Sequence, residues 1–163
     1  MILTAIQIET EAVLRHLVDW DCKRIVDTWF QTDRFGPWTV AVDKVGLGNA
    51  NAATIAVRAF MHFRPAIAAF VGIAGGVKAV ALGDVVVATK VYGYEAGKET
   101  PDGFRVRPSV QTSHHELEQR AHFLRTDASW RQRLGAGLWS DHKPVVHVAL
   151  IAAGEAVVAN DGG

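Results

Sequence analysis

The sequence predicts an α/β domain built on a largely buried sheet. Three observations predict it. Short apolar, β-branched segments alternate with segments whose apolar residues recur at helical spacing. One strand-like segment, Ala66 to Ile73, is apolar throughout, the pattern of a strand covered on both faces. The chain has 163 residues, 49% of them apolar and 21% charged, enough for one ordinary domain with its own core.

The elements follow in order. Ile2 to Ile8 is short and β-branched and reads as a first strand, passing into a helix around Glu9-Thr10. Glu11 to Leu17 places Val13, Leu14 and Leu17 at helical spacing. Ile25 to Gln31 and Trp38 to Val45 read as strands, with Phe35-Gly36-Pro37 as the turn between them. Asn51 to Phe63 is an alanine-rich helix that Pro65 stops. After the apolar run at 66–73, Asp84 to Tyr92 is another strand. Glu99 to Arg107 contains Pro-Asp-Gly and reads as a hairpin. Ser113, with Glu116 three residues on, has the spacing of a capping box opening a helix to Leu124. A second amphipathic piece spans Ser129 to Leu134, Gly135 to Pro144 is a loop, and Val145 to Ile151 is the last strand. No internal repeat or second domain is visible, so residues 1–163 are expected to form one domain.

Composition excludes several function classes. Lys plus Arg and Asp plus Glu both number 17, so no global field attracts nucleic acid or an anionic membrane. The single Cys22 cannot form an internal disulfide or a four-cysteine zinc site and fits a reducing cytosol. The N-terminus has no basic region before its apolar run, and Glu9 and Glu11 would interrupt a signal-peptide core. No uninterrupted apolar stretch reaches transmembrane length. A cytoplasmic protein is expected.

Several motifs carry two readings. Val45-Gly-Leu-Gly-Asn-Ala-Asn-Ala-Ala53 invites a dinucleotide site, but its third glycine position is Asn51 and no acidic residue ends the next strand. The simpler reading is a strand-to-helix turn capped by Asn49 or Asn51. His114, His115 and His122 lack a carboxylate or cysteine to complete a metal set and read as a surface helix. The five tryptophans are scattered and read as core or interface. Lys98, Arg105 and Arg107, in the stretch Tyr92 to Ser109, offer charge for a 5′-phosphate, against the simpler reading of a solvated hairpin.

The most specific stretch is Ala68 to Ala88, AAFVGIAGGVKAVALGDVVVA: a strand, Gly-x-Ala-Gly-Gly, a short linker, then Leu-Gly-Asp and a second apolar run. With TAIQIETEAV, VGLGNANAA and LIAAGEAVVA in order around it, the chain resembles the nucleoside phosphorylase and nucleosidase superfamily. The nearer branch is that of methylthioadenosine/S-adenosylhomocysteine nucleosidases. The resemblance implies a three-layer αβα sandwich with a central twisted mixed sheet. It spans nearly the whole chain and stops at roughly two-thirds of a family domain, so the expected ribose clamp and base-protonating acid would lie beyond Gly163.

The chemistry this implies is cleavage of the bond between ribose C1′ and a purine nitrogen, with no metal or redox cofactor. Positive charge grows on the sugar and negative charge on the base, so the site needs a nucleophile, a ribose clamp and an acid. Glu9 matches the family glutamate that holds the attacking water, and partial burial is expected to raise its pKa. Its simpler reading is an acid favoured by a helix N-terminus; Glu11 competes, on the exposed face. Gly72, Ile73, Ala74, Gly75 and Gly76 would form a floor under the ribose, where only small residues let backbone come close.

Phosphorylases hold phosphate with an arginine before this segment and a serine within it; Phe70 and Ile73 stand there and donate no side-chain hydrogen bond. Water is therefore the expected nucleophile, although close nucleosidases also carry serine where Ile73 stands. At the base, Gly154 is kept, Glu155 replaces an aspartate, and Val157 stands where a stacking phenylalanine is common, forfeiting about 1 kcal/mol of stacking. Val158 would offer backbone groups to the base edge. A phosphate-dependent enzyme and a non-catalytic nucleoside-binding module are the alternatives, and the resemblance implies a homo-oligomer.

Overall fold

The computed structural model describes residues 1–25, 27–77, 80–134 and 142–154, and the chain falls into two compact units, Met1–Ala74 and Gly75–Gly163. In the first unit, β1 (Ile2–Thr4) leads into α1 (Gln7–Leu14). A meander of β2 (Asp21–Ile25), β3 (Thr28–Phe35) and β4 (Trp38–Lys44) follows, then α2 (Asn49–Phe63) and β5 (Ala69–Phe70). The sheet order is β2-β3-β4-β1-β5. The meander is antiparallel, whereas β1 runs parallel to both β4 and β5, so the sheet is mixed, as expected.

The pleat of β4 sends alternate side chains to opposite faces. Val40 and Val42 point toward α1, where they pack with Leu17, Ile2, Val13 and Leu14. Phe30 of β3 lies on the other face and is fully buried; its ring meets Phe63 of α2 edge-on at 5.0 Å. The two helices thus meet opposite faces of this sheet.

The meander differs from expectation at its first strand. Ile25 to Gln31 is not one strand: the chain turns at Asp27, with φ 62°, and pairs with itself as β2 and β3. The segment Asp-Cys-Lys-Arg-Ile shows no apolar alternation because β2 is an exposed edge strand, where charges block pairing with other chains. The Phe35-to-Trp38 turn lies where expected. Gly46 and Gly48 adopt φ of 79° and 96° in the turn into α2, a conformation that favours glycine. Gly48 itself caps α2; Asn51 instead donates its side-chain amide to the Leu47 carbonyl, 3.0 Å away.

Ala66 to Ile73 is the largest correction. Only Ala69 and Phe70 are in a strand, and Phe70, Val71 and Ile73 are exposed. Among the described residues of its unit, β5 is the sheet edge and pairs with β1 alone. Trp20, Trp29 and Trp38 are also exposed rather than core residues of this unit.

Asp43 is the unusual buried group of the first unit. It is 8% exposed on β4; one carboxyl oxygen accepts the Lys44 N–H at 2.8 Å and the other has no hydrogen-bond partner. Burial outweighs the Lys44 N–H and charge and pushes its pKa from 3.8 to about 6. The native state therefore favours the protonated form. That contribution is present in full below the unfolded value near 3.8 and is lost as pH rises through about 6. The gap corresponds to about 3 kcal/mol. Asp43→Asn is expected to remove this pH dependence, so denaturant melts at pH 4.5 and 7.5 should differ less in the variant than in the parent.

The second unit contains β6 (Val85–Gly93), a separate hairpin of β7 (Gly97–Thr100) and β8 (Gly103–Val106), and β9 (Ser109–Thr112). Then come α3 (His115–Thr126), a 3₁₀ turn (Ala128–Arg133) and β10 (Val146–Ala153). β6 lies between parallel β10 and antiparallel β9. The hairpin lies where Pro-Asp-Gly predicts it, and its Arg105 pairs with Asp102 across an exposed turn. The expected capping box does not form. Ser113 lies before the helix, and its hydroxyl donates to the Ala88 carbonyl while its N–H donates to Thr89, because β9 must first close onto β6.

Asp84 ties this unit together. Its side chain is 4% exposed. One oxygen accepts the Val145 N–H at 3.0 Å and meets His142 Nε2 at 2.7 Å. The other accepts the Ala81 N–H at 2.9 Å and meets His147 Nε2 at 2.9 Å. One carboxylate thus joins the start of β6 to the start of β10. Among the described residues no cluster of three or more histidine, cysteine or acidic side chains could hold a metal ion, and no helix is long and apolar enough to cross a membrane.

Candidate active site

The site grows from the end of β1. The chain leaves Thr4, passes through Ala5 and an extended Ile6, and enters α1, of which Glu9 is the third residue. The helix therefore begins two residues before the predicted Glu9-Thr10 boundary. The side chain of Glu9 turns back on its own N-terminus. Its Oε2 accepts the N–H of Ala5 at 2.8 Å and of Ile6 at 3.0 Å. This is half of a capping box; Ile6, at the cap, has no side-chain oxygen to complete it.

The other oxygen reaches across the sheet. Glu9 Oε1 accepts the N–H of Ile73 at 2.8 Å, from the segment that follows β5. A Cβ on Gly72 would stand 2.9 Å from that oxygen, closer than real Cβ atoms come. Gly72 is thus a glycine because a carboxylate lies against its backbone.

A carboxylate has about four acceptor sites, and three here are filled by backbone N–H groups. Two are on Oε2 and one on Oε1, so the remaining capacity lies on Oε1, on the glycine side. Glu9 is 7% exposed. Burial pushes its pKa up, but the N–H groups of Ile73, Ile6 and Ala5 together outweigh burial and hold it below the ordinary value. The expected upward shift is thereby corrected: desolvation is present, and a carboxylate fixed by three donors is ionised regardless.

The other predicted residues divide. Glu9, Gly72 and Ile73 come together. Ala74 follows them, exposed, at the end of the first unit, and Ile73 turns its side chain to solvent. Gly75 and Gly76 belong to the second unit; a Cβ on Gly75 would meet nothing within 4 Å, and one on Gly76 would meet only the side chain of Val80. Glu155, Val157 and Val158 lie outside the described residues. Gly154 is described: a Cβ there would collide with the Tyr94 hydroxyl and the Glu95 carboxylate. Glu11 is exposed and accepts a hydrogen bond from Gln7, as expected of the competing carboxylate.

Sequence reasoning missed the Ala5 and Ile6 donors, which carry no side-chain signal. It could have found the half capping box, since Glu9 is spaced three residues from Ile6.

The structure is similar to several solved nucleosidases. Futalosine hydrolase of Helicobacter pylori, a mutant form, matches with a TM-score of 0.73 and 17% identity, over 98% of this chain and 69% of that one. The 5′-methylthioadenosine/S-adenosylhomocysteine nucleosidase of S. pneumoniae, with the transition-state inhibitor MT-ImmA, matches at 0.73 and 21% over 97% and 65%. The corresponding enzyme of Colwellia psychrerythraea 34H, in complex with adenine, matches at 0.76 and 20% over 98% and 63%. At these identities the likeness shows the fold alone, the nucleoside phosphorylase-like α/β architecture expected. The chain spans only 63% of the Colwellia enzyme and 69% of the futalosine hydrolase, or about two-thirds of such proteins. No curated protein matches significantly. The sequence itself matches the phosphorylase superfamily over residues 1–161, and the chain belongs to that superfamily.

Proposed function

We propose that this chain carries the water-holding part of a site that hydrolyses the N-glycosidic bond of a purine nucleoside or nucleotide. The observation that carries the reading is the Glu9 carboxylate, ionised and fixed by three backbone N–H groups, with its remaining acceptor capacity on Oε1 beside Gly72. A water donating to Oε1 would be held in one orientation. As the C1′–N bond breaks, its electron pair leaves with the base. The water oxygen bonds C1′, and the water's proton passes to Glu9. A lowered pKa makes Glu9 a weak base, so it orients the water first and takes the proton only as C1′–O bond formation acidifies it. The oxocarbenium-like sugar is electrophilic enough that an oriented neutral water suffices, and an anion nearby favours the growing positive charge.

Gly72 to Gly76 would line the ribose, and Gly154, Glu155, Val157 and Val158 the base. By the resemblance, a complete site also needs a ribose clamp and an acid that protonates the base. Membership of a phosphorylase superfamily keeps phosphate as the alternative nucleophile. Against it, Phe70 and Ile73 stand where phosphate-binding side chains are expected, and Glu9 would repel the anion. A cytoplasmic homo-oligomer binding a purine nucleoside completes the proposal.

Product analysis tests it. Incubated with adenosine, methylthioadenosine or adenosine monophosphate, the protein is expected to yield free sugar, at a rate independent of added phosphate. Accumulation of ribose 1-phosphate, with a rate rising with phosphate concentration, would overturn the choice of water.

A further inference from the structure

Two fully engaged hydroxyls lie behind the Glu9 cradle. Thr4, at the end of β1, is 0% exposed and Thr10, next to Glu9, is 3% exposed. Their Oγ1 atoms are 2.7 Å apart. Thr10 Oγ1 also lies 3.2 Å from the Ile6 carbonyl, and Thr4 Oγ1 lies 3.4 Å from the carbonyl of Asp43 on β4. Two hydroxyl protons serve three contacts. The shorter pair of contacts corresponds to Thr4 donating to Thr10 and Thr10 donating to Ile6.

Ile6 is the residue whose N–H, with that of Ala5, holds Glu9 Oε2. Together with the Thr10 N–H, which also donates to the Ile6 carbonyl at 3.2 Å, the hydroxyl chain pins the peptide segment that supplies two of the three Glu9 donors to the end of β1. We infer that Thr4 and Thr10 are positioning residues, whose hydroxyl bridge fixes the Ala5–Ile6 donors and thereby the orientation of the Glu9 carboxylate. Neither touches substrate; both act through Glu9. The functional meaning of the bridge rests on the water-holding reading, but the bridge's effect on Glu9 does not.

The geometry makes Glu9 its own reporter. Its lowered pKa is set, against burial, by three backbone donors, and no cation pairs with it among the described residues. A change in its titration therefore reads those donors rather than a nearby charge. Threonine and valine have nearly the same shape. Replacing both partners of a buried hydrogen bond by apolar groups of the same shape is nearly neutral for stability, so the double variant Thr4→Val/Thr10→Val is expected to fold.

The test is carboxyl-carbon NMR titration of Glu9 in the intact chain, its double valine variant and Thr10→Ser. The double variant should titrate higher than the parent by about half a pH unit or more, as the Ala5 and Ile6 donors loosen. Thr10→Ser, which keeps the hydroxyl, should titrate with the parent. A folded double variant with an unchanged Glu9 titration would overturn the inference. So would a serine variant that titrates with the valine variant. If Glu9→Gln instead leaves base release intact, the nucleosidase reading fails while the titration result stands.

Discussion

Gly72→Ala is expected to leave the fold intact and to reduce base release at least about a hundredfold. The added Cβ would stand 2.9 Å from Glu9 Oε1 and 3.3 Å from its carboxyl carbon. Both belong to the far end of a side chain, so the protein relieves the contact by moving the carboxylate rather than the backbone. Gly72 is not among the residues with positive φ, and alanine there carries no left-handed strain. It also narrows the unfolded ensemble, worth about 0.4–1 kcal/mol. Stability should therefore change little. The Ile73 N–H contact to Oε1 should lengthen, and the water-holding oxygen should leave its place. Displacements of this size at a reacting centre cost about two orders of magnitude in rate. Thermal melts and base-release rates on the same preparation separate the two effects. A variant with parental activity would show that the approach of Glu9 to Gly72 has no part in the chemistry.

Asp84→Ala carries the largest expected loss of stability. Four contacts end on this carboxylate, from Ala81, Val145, His142 and His147. At about 1 kcal/mol each, their loss amounts to about 4 kcal/mol, with two backbone N–H groups left unpartnered. The Ala81 and Val145 N–H groups, then His142, hold the carboxyl far below its usual range; burial opposes them, and His147 adds to them. A depressed pKa stabilises the native state above the unfolded value. That contribution is thus present above about pH 4 and is lost as pH falls through the acid range. In the parent, stability should drop steeply below pH 4; in Asp84→Ala it should be low already at pH 7 and vary less. Denaturant melts at pH 3 and pH 7 measure both. Equal melts of parent and variant at pH 7 would show that the Asp84 cluster does not hold β6 to β10.

The elements that were legible in the sequence are those whose signal is local. Trp38 to Val45 alternates and ends in glycine, Asn51 to Phe63 is helical and stops before Pro65, and Pro-Asp-Gly marks the 97–106 hairpin. The elements that were not legible answer to partners distant in the chain. β2 has a charged sequence because it is an edge, and which strand is an edge is decided by β3 and β4. Ser113 has the spacing of a cap but serves Ala88, a residue 25 positions back.

The candidate site shows the same division. Glu9 and the glycine segment are visible as motifs, and the resemblance joins them. Their actual junction is a contact across 64 positions between Glu9 Oε1 and the Ile73 N–H. The direction of the Glu9 pKa depends on that contact and on two further backbone donors. Residue type alone shows burial and so points the wrong way. The Thr4–Thr10 bridge is equally invisible, since threonine at those positions is compatible with any buried strand or helix.

The most direct measurement is base release from methylthioadenosine and adenosine by the parent protein and by Glu9→Gln, without phosphate. The Gln amide keeps the size of the carboxylate but replaces one oxygen with a donor that cannot accept the backbone N–H groups or a water proton. Release by the parent, reduced at least about a hundredfold in the variant while the melt is preserved, is the result expected of a carboxylate that orients the attacking water. Equal release by both proteins would contradict that role for Glu9.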